Sequence, residues 1–274
     1  MPTLPDFNDL RYLNEVGWFL YREKYGYNHY TDSYAGERLT WSEMLLDELT
    51  SICGKDRAWI KDKSVLNVGC GCTGELAAWP AAAKIAADPL LYAYQKLGML
   101  IDDAPGTTRT LYLSVGVEGL PLLDESVDLV LCRNALDHMQ DPTNGRDHLW
   151  RVLKTDGVFF LSVDIGGEPT PDEPSPFTQE SLTALLEEKF EIITRRAEPK
   201  PHNQHRSHSV RIVARKKGRS SAMLDKSAIL RAYMIAVGAL SESSAQEEAL
   251  CGQSLERRSI SSNGRFGQDG HWKS

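Results

Sequence analysis

The feature that most constrains the fold is a mostly apolar run that ends in three closely spaced glycines. Residues 65–68 lead into Gly69, Gly71 and Gly74, with the spacing G-x-G-x-x-G. Such a pattern predicts a buried strand followed by a tight turn. Because glycine has no Cβ, the backbone at Gly69 and Gly71 can bend sharply and approach a ligand closely.

A carboxylate follows this turn at a characteristic distance. A second short apolar run, 84–87, ends in Asp88, roughly 20 residues after the first glycine. At the tip of a neighbouring strand, a carboxylate can accept hydrogen bonds from both hydroxyls of a ribose. The glycine turn and the distal acid together predict a cofactor that contains a nucleoside.

Two classes of cofactor fit this pattern, a nicotinamide dinucleotide and S-adenosylmethionine. A dinucleotide needs a helix N-terminus at its pyrophosphate. The segment after Gly74 is short, however, and Pro80 interrupts it, since proline cannot donate a hydrogen bond inside a helix. Glu75 also places negative charge where a pyrophosphate would lie. S-adenosylmethionine has no phosphate and carries a sulfonium cation and an amino group, so the pattern favours it.

An ordered set of motifs resembles the class I S-adenosylmethionine-dependent methyltransferases, most closely the small-molecule group called methyltransferase type 11. The motifs lie at 65–71, 87–90, 117–121, 126–130, 134–138 and 151–157. The resemblance covers roughly residues 40–217. It implies an α/β, Rossmann-like fold with a seven-stranded, mostly parallel sheet, a C-terminal antiparallel hairpin and helices on both faces.

The resemblance also implies a cofactor site. The glycine turn is expected to wrap the methionine end of the cofactor, the acid to hold the ribose, and the loops after the third and fourth strands to reach the adenine and the sulfonium. The expected cofactor-binding residues are Asn67, Gly69, Cys70, Gly71, Asp88, Pro89, Val117, Glu118 and Asn134. Two positions depart from the family, which usually has an acid where this chain has Asn67 and where it has Gly116.

The candidate catalytic residue is His138. Methyl transfer is an in-line displacement at an activated sulfonium, so the protein mainly positions the acceptor and removes its proton. His138 titrates near neutrality and follows the fourth strand, where it can act as a general base; its alternative role is to cap the loop. Asp137, Asp164 and Glu168 are further candidates for substrate contact.

Charge and cysteine content argue against other kinds of site. The net charge is −7, so the surface as a whole does not attract nucleic acid, and we interpret the basic run 195–219 as a solvated hairpin. Cys70 and Cys72 lack a second pair at ligand spacing, so we expect no metal site. With neither a signal peptide nor an apolar run of ~18 residues, the sequence favours a cytoplasmic location.

Hydrophobic periodicity divides the chain into elements. Thr40 and Glu43 predict a capping box for a helix that buries Trp41, Met44, Leu45, Leu49 and Ile52 and ends at Gly54. Strands are predicted at 64–68, 84–87, 109–115, 127–132, 158–163, 190–197 and 208–215. Leu90, Leu91, Tyr94 and Leu97 predict one intervening helix, Asp141 and Pro142 open a second, and Thr178 caps a third.

Three regions follow from these patterns. Residues 1–54, rich in aromatic side chains, are expected to form a helical cap; 55–217 form the S-adenosylmethionine-binding domain; and 218–274 hold one helix, at 226–240, and a disordered tail. The predicted function is S-adenosylmethionine-dependent methyl transfer to a small-molecule acceptor, with O-methylation favoured. The alternatives are a nicotinamide-dependent oxidoreductase and a non-catalytic domain that binds a cofactor or a partner.

Overall fold

The computed structural model describes residues 14–17, 35–199 and 207–218, with residues 35–37 described by their backbone alone. The helices are α1 (Ala35–Ile52), α2 (Leu91–Lys96), α3 (Pro142–Val152) and α4 (Gln179–Glu187). The strands are β1 (Ser64–Val68), β2 (Ala83–Ala87), β3 (Thr110–Leu113), β4 (Val127–Arg133), β5 (Leu153–Ile165), β6 (Phe190–Pro199) and β7 (His208–Lys216). Short 3-10 helices lie at Arg57–Ile60 and Val117–Gly119. The predicted helix at 226–240, the tail and most of the cap lie outside the described residues.

The strands form one sheet with the order β3-β2-β1-β4-β5-β7-β6. The first five strands are parallel, and β7 pairs antiparallel with both β5 and β6. The predicted fold class is therefore confirmed. The strand order reverses between β1 and β4, and in open sheets of this kind a ligand binds at the carboxyl edge beside such a reversal.

The hydrophobic core forms around the buried central strands of the sheet. In β1, every residue after Ser64 is buried, as expected for a parallel strand covered on both faces. On one face, Val65 and Leu129 pack against Leu45 and Leu49 of α1. Right-handed crossovers leave β1 and β4 in opposite directions along the sheet, so α3 and α4 cover the other face.

The start of α1 differs from the sequence-based prediction. The helix begins at Ala35, so Thr40 lies inside it and does not cap it. Its buried residues are Arg38, Ser42, Leu45, Leu46, Leu49 and Thr50, while Met44 is 58% exposed and Trp41 is also exposed. The prediction failed because three of the buried residues are polar, and a search for apolar periodicity does not detect them. The predicted end at Gly54 is confirmed by bonds from Gly54 N–H to Ser51 and from Lys55 N–H to Thr50.

Other boundaries shift at the ends of elements. β5 begins at Leu153, directly after α3, instead of at 158, and β3 is shorter than predicted. Leu97 lies beyond α2 and is 49% exposed, so it is not part of that helix's apolar face. The predicted caps at Asp141 and Thr178 are confirmed, because each side chain accepts a backbone N–H of its helix. Within the described part of the chain, no helix is both long and apolar enough to cross a membrane.

Polar side chains, instead of a helix, hold the segment between β1 and β2. Residues 75–79 form turns, and their backbone groups need partners because the segment is buried. The Ser42 hydroxyl donates to the Glu75 carbonyl (2.7 Å) and accepts from the Ala78 N–H (3.0 Å). The Trp79 indole donates to the Ser42 carbonyl. Ser42 of α1 thus provides hydrogen bonds to backbone groups that a helix would have paired within this segment.

Candidate functional site

The glycine turn and Asp88 are in direct contact at the carboxyl edge of the sheet. One Asp88 carboxylate oxygen accepts a hydrogen bond from the Gly71 N–H at 2.9 Å, and the other accepts from the Leu90 N–H at 2.8 Å. The Gly69 N–H donates to the Ala87 carbonyl at 2.8 Å, which joins the ends of β1 and β2. The carboxylate predicted at the second strand's tip therefore lies beside the glycines predicted at the first.

Burial changes the chemistry of this carboxylate. Asp88 is only 8% exposed, and desolvation raises the pKa of its carboxyl, while the two N–H donors act in the opposite direction. Each carboxylate oxygen has a second lone pair. The side chain can therefore accept further hydrogen bonds, such as those of a ribose, without releasing the backbone.

At two of the turn's glycines, a larger residue would clash with neighbouring atoms. Gly69 has φ +63°, and a Cβ there would lie 2.2 Å from the Ala135 Cβ. Gly74 has φ +71°, and a Cβ there would lie 2.4 Å from Ile101. Only glycine fits the close approach of the turn to the loop after β4, so the motif forms a tight cradle at this edge.

The cysteines of the turn are buried and protonated. Cys70 and Cys72 pack in an apolar cluster with Leu90, Leu91 and Tyr94. Burial raises the pKa of the Cys72 thiol to about 12 and that of the Cys70 thiol well above its usual range. Neither thiol is therefore a nucleophile at neutral pH, because only the thiolate is reactive.

Asn67 and Arg133 meet at Glu75. The Asn67 amide donates to Glu75 at 2.9 Å, and Arg133 forms an ion pair with the same carboxylate and lies over the Trp41 ring. Arg133, which ends β4, thus turns toward α1 and not into the cleft. Asn67 is 1% exposed, and its Oδ1 accepts no hydrogen bond from the described residues. This buried acceptor adjoins a small cavity that Cys70, Gly71 and Glu75 also line.

The residues expected near the adenine sit at the start of a short helix. Gly116 caps the 3-10 helix, with Val117 buried and Glu118 exposed. Pro89 is half-buried, and its carbonyl accepts from the Ser114 hydroxyl. These residues lie after β2 and β3, on the same edge of the sheet as Asp88.

The loop after β4 supplies the other side of the cleft. Asn134 has φ +43°, a left-handed conformation that asparagine tolerates, and its N–H donates to the Ser162 carbonyl at 2.7 Å. Asp137 is buried, and its carbonyl accepts from the Ser175 N–H. Asp137, His138 and Glu173 bring one ligand atom each to within 4.8 Å of one another. The strand end and the loop after β5 therefore converge around His138.

The remaining sequence candidates are separate from this group. Asp164 lies within β5, and Glu168 is exposed in the loop that follows. Neither is among the three residues that converge around His138.

Two residues of the site were not predicted. Arg38 of α1, 3% exposed, donates to the carbonyls of Cys72 (3.0 Å) and Met99 (2.7 Å), so it holds the glycine turn in place. Arg38 could have been found in the sequence because its spacing places it on the inward face of α1, where a polar residue is unexpected. The second is Glu173, which approaches Asp137 and His138, and nothing in its local sequence marked it.

Fold and site together define a class of protein: a doubly wound, mostly parallel sheet with a glycine turn and a carboxylate in contact at its switch point. Residues 66–161, which run from β1 to β5, match the family model described as "Methyltransferase domain". This stretch is therefore similar to S-adenosylmethionine-dependent methyltransferases, the class that the sequence motifs resemble. Comparison with curated proteins finds no match.

Solved structures give the following likenesses. A candidate methyltransferase from Bacillus halodurans is 18% identical, with 63% of this chain and 99% of that chain covered and a TM-score of 0.49. The 1,6-didemethyltoxoflavin-N1-methyltransferase of Burkholderia thailandensis, with bound S-adenosylhomocysteine, is 18% identical (79% and 94% covered, TM-score 0.48). A SAM-dependent methyltransferase from Methanosarcina mazei is 18% identical (58% and 94% covered, TM-score 0.46).

Proposed function

We propose that this protein transfers the methyl group of S-adenosylmethionine to a small-molecule acceptor, and that the methylated atom is an oxygen. The observation that carries the proposal is the hydrogen bond between Asp88 and the Gly71 N–H, inside the stretch that matches the methyltransferase model. It brings the ribose-binding acid and the glycine turn to one place. The choice of oxygen rests on the resemblance of the motifs to the type 11 group.

The residues present fit S-adenosylmethionine. Gly69 leaves a cradle that a Cβ would fill, and the Asn67 Oδ1 is a buried acceptor beside the turn. When bound, the cofactor supplies an electrophilic methyl group. In the proposed site, Gly69, Cys70 and Gly71 surround its methionine end, and Asp88 and Pro89 hold its ribose. Asn67 accepts from its amino group through a water in the small cavity.

The other cofactor contacts come from two loops. Val117 and Glu118 border the adenine, with the Val117 backbone N–H as a donor. Asn134 faces the sulfonium, where its left-handed backbone is held by the bond to Ser162. The four described cysteines are free thiols, which supports the cytoplasmic location we propose.

We expect the protein to be stabilised by its cofactor. A ligand that binds only the folded state adds about 2.7 kcal/mol of stability at 100 times its Kd. Thermal unfolding should therefore shift upward by several degrees with S-adenosylmethionine or S-adenosylhomocysteine, and not with NAD. A shift with NAD alone would favour the oxidoreductase alternative, and no shift with any of the three would favour a non-catalytic domain.

The proposed general base is His138. Its imidazole lies beside Asp137 and Glu173 at the acceptor side of the cleft, where it can take the proton that the acceptor loses. We expect His138→Ala to lower kcat about 10²-fold across the pH profile.

The control for this variant is His148→Ala on α3, which should keep the wild-type profile. Both variants are assayed with and without a chelator, since the same three side chains could also hold a cation. Normal turnover of His138→Ala across the pH range would exclude the role.

A further inference from the structure

The Asn67 carboxamide is held in one orientation. Its Nδ2 donates a hydrogen bond to the Glu75 carboxylate at 2.9 Å. An ionised carboxylate offers acceptor atoms only, so the NH₂ group, and not the carbonyl oxygen, must face Glu75. The Oδ1 atom therefore lies on the other side of the carboxamide, where it can only accept a hydrogen bond.

The Glu75 side chain is buried, and both of its carboxylate oxygens have partners. Arg133 pairs with Oε1, while Asn67 donates to Oε2. The Ser42 hydroxyl of α1 donates to the Glu75 carbonyl at 2.7 Å, and the residue is 6% exposed. Glu75 therefore cannot follow a rotation of the Asn67 carboxamide. A rotated carboxamide would bring its oxygen against a carboxylate oxygen, and two acceptors repel each other.

The Asn67 Oδ1 atom is an acceptor that receives no hydrogen bond from the described part of the chain. Asn67 is 1% exposed, so its carboxamide is shielded from bulk water. A cavity of about 10 Å³, lined by Asn67, Gly71 and Glu75 among others, adjoins it, and this is about the space of one water molecule. Because a buried acceptor without a donor is unfavourable, the site is stabilised when a ligand supplies a donor, directly or through one water.

We propose that Glu75 is a positioning residue: it fixes Asn67 as a hydrogen-bond acceptor and so makes the site select ligands that carry the amino group of S-adenosylmethionine. The inference rests on the proposed function, which places this end of the cofactor at the glycine turn.

The selection arises from hydrogen-bond direction. A water that accepts a hydrogen bond from an ammonium group has its own hydrogens left to donate, and these need an acceptor. Asn67 offers that acceptor only in the orientation that Glu75 enforces. Since Arg133 balances the charge of Glu75, net charge contributes little to the selection.

The test is calorimetric titration with S-adenosylhomocysteine and with its deamino analogue, which carries hydrogen in place of the amino group. Because a hydrogen bond from a charged group is worth about tenfold or more in affinity, the wild type should prefer S-adenosylhomocysteine by about tenfold. In Glu75→Gln, the new side chain can donate as well as accept, so it no longer fixes Asn67. We expect the preference to fall to about twofold, through weaker binding of S-adenosylhomocysteine.

A double-mutant cycle shows whether Glu75 acts through Asn67. Asn67→Leu removes the acceptor and leaves the ion pair of Glu75 with Arg133 intact, so it should lose the preference to the same extent. Adding Glu75→Gln to Asn67→Leu should then change the preference by less than about twofold.

An exchange of the two groups provides a rescue. Asn67→Asp combined with Glu75→Gln keeps one carboxylate and one carboxamide in contact, with the carboxylate now beside the cavity, and should restore the preference. A folded exchange variant without the preference would contradict the role of Glu75. The control is Asp124→Asn, which breaks an ion pair with Arg151 before β4, at the opposite edge of the sheet; it should keep the wild-type preference.

The outcomes separate this inference from the proposed function. If the wild-type protein binds neither S-adenosylmethionine nor S-adenosylhomocysteine, the proposed function fails. If it binds S-adenosylhomocysteine without preference over the deamino analogue, or if Glu75→Gln weakens both ligands by the same factor, the role of Glu75 is overturned while the proposed function stands. The same follows if Glu75→Gln has its full effect in the Asn67→Leu background, because Glu75 would then act by its charge. Thermal unfolding shows that each variant is folded, and the exchange variant decides if a single variant does not fold.

Discussion

Replacing Asp88 with alanine is expected to weaken binding of S-adenosylmethionine at least tenfold. Hydrogen bonds to a charged group are each worth about 1.5–3 kcal/mol, and the carboxylate is proposed to accept two from the ribose. The variant also loses the acceptors of the Gly71 and Leu90 N–H groups. We therefore expect a loss of about 1–3 kcal/mol in the free energy of unfolding as well. Calorimetry and denaturant unfolding measure the two effects.

Two controls separate ligand binding from loop stability. Asp88→Asn keeps an oxygen that can accept one N–H, so it should recover part of the stability but not the affinity. Asp56→Ala removes a carboxylate that accepts the Trp59 N–H at 3.1 Å and lies before β1, at the edge of the sheet opposite the cleft. That variant should lose about 1 kcal/mol and bind normally. Unchanged affinity in Asp88→Ala would refute the assignment of this residue to the ribose.

Replacing Gly69 with alanine is expected to cost about 2–5 kcal/mol of folding stability. A left-handed conformation costs an alanine about 1–2 kcal/mol, and an added methyl in a packed site costs about 1–3 more. At Gly69 both apply, because φ is +63° and the new Cβ would lie 2.2 Å from the Ala135 Cβ. The melting temperature should fall by about 5–15 °C for a domain of this size. Because β1 and the loop after β4 must separate, cofactor affinity should fall too.

The matched control is Gly98→Ala. Gly98 has φ +68°, nearly the same conformation, but nothing lies within 4 Å of a Cβ placed there. That variant should lose only the backbone contribution, about 1–2 kcal/mol. Equal losses in the two variants would show that the contact with Ala135 does not matter.

The hydrophobic pattern of short segments was enough to predict most strands of the sheet. The apolar runs that became β1 and β4 were found within one residue, because buried strands need continuous apolar segments. The two strands of the β6–β7 hairpin were found within two residues. The glycine turn and Asp88 could also be predicted from local sequence, because each depends on a particular residue type at the end of a strand. The contact between them follows from the parallel pairing of β1 with β2.

The polar framework around the turn was harder to predict. Arg38 and Ser42 of α1 are far from Glu75 in the sequence, and each of the three becomes buried only when α1 packs over the turn. Arg133 ends β4 at the carboxyl edge of the sheet, yet it pairs with the Glu75 carboxylate and turns toward α1. Sequence spacing predicts the strand end at which a side chain lies, but it does not predict the charged group with which that side chain pairs.

By itself, the sequence determined the fold class, the switch point and the acid that faces the glycine turn. These follow from short-range rules: hydrophobic period, glycine geometry and the order of strands. Only the tertiary structure decided that Arg38 and Ser42 hold the turn, and that Asp137, His138 and Glu173 converge. Such contacts join residues that are remote in the chain. The energies of these contacts depend on burial and on neighbouring charge. Both are set only when folding brings the carboxyl ends of the strands together.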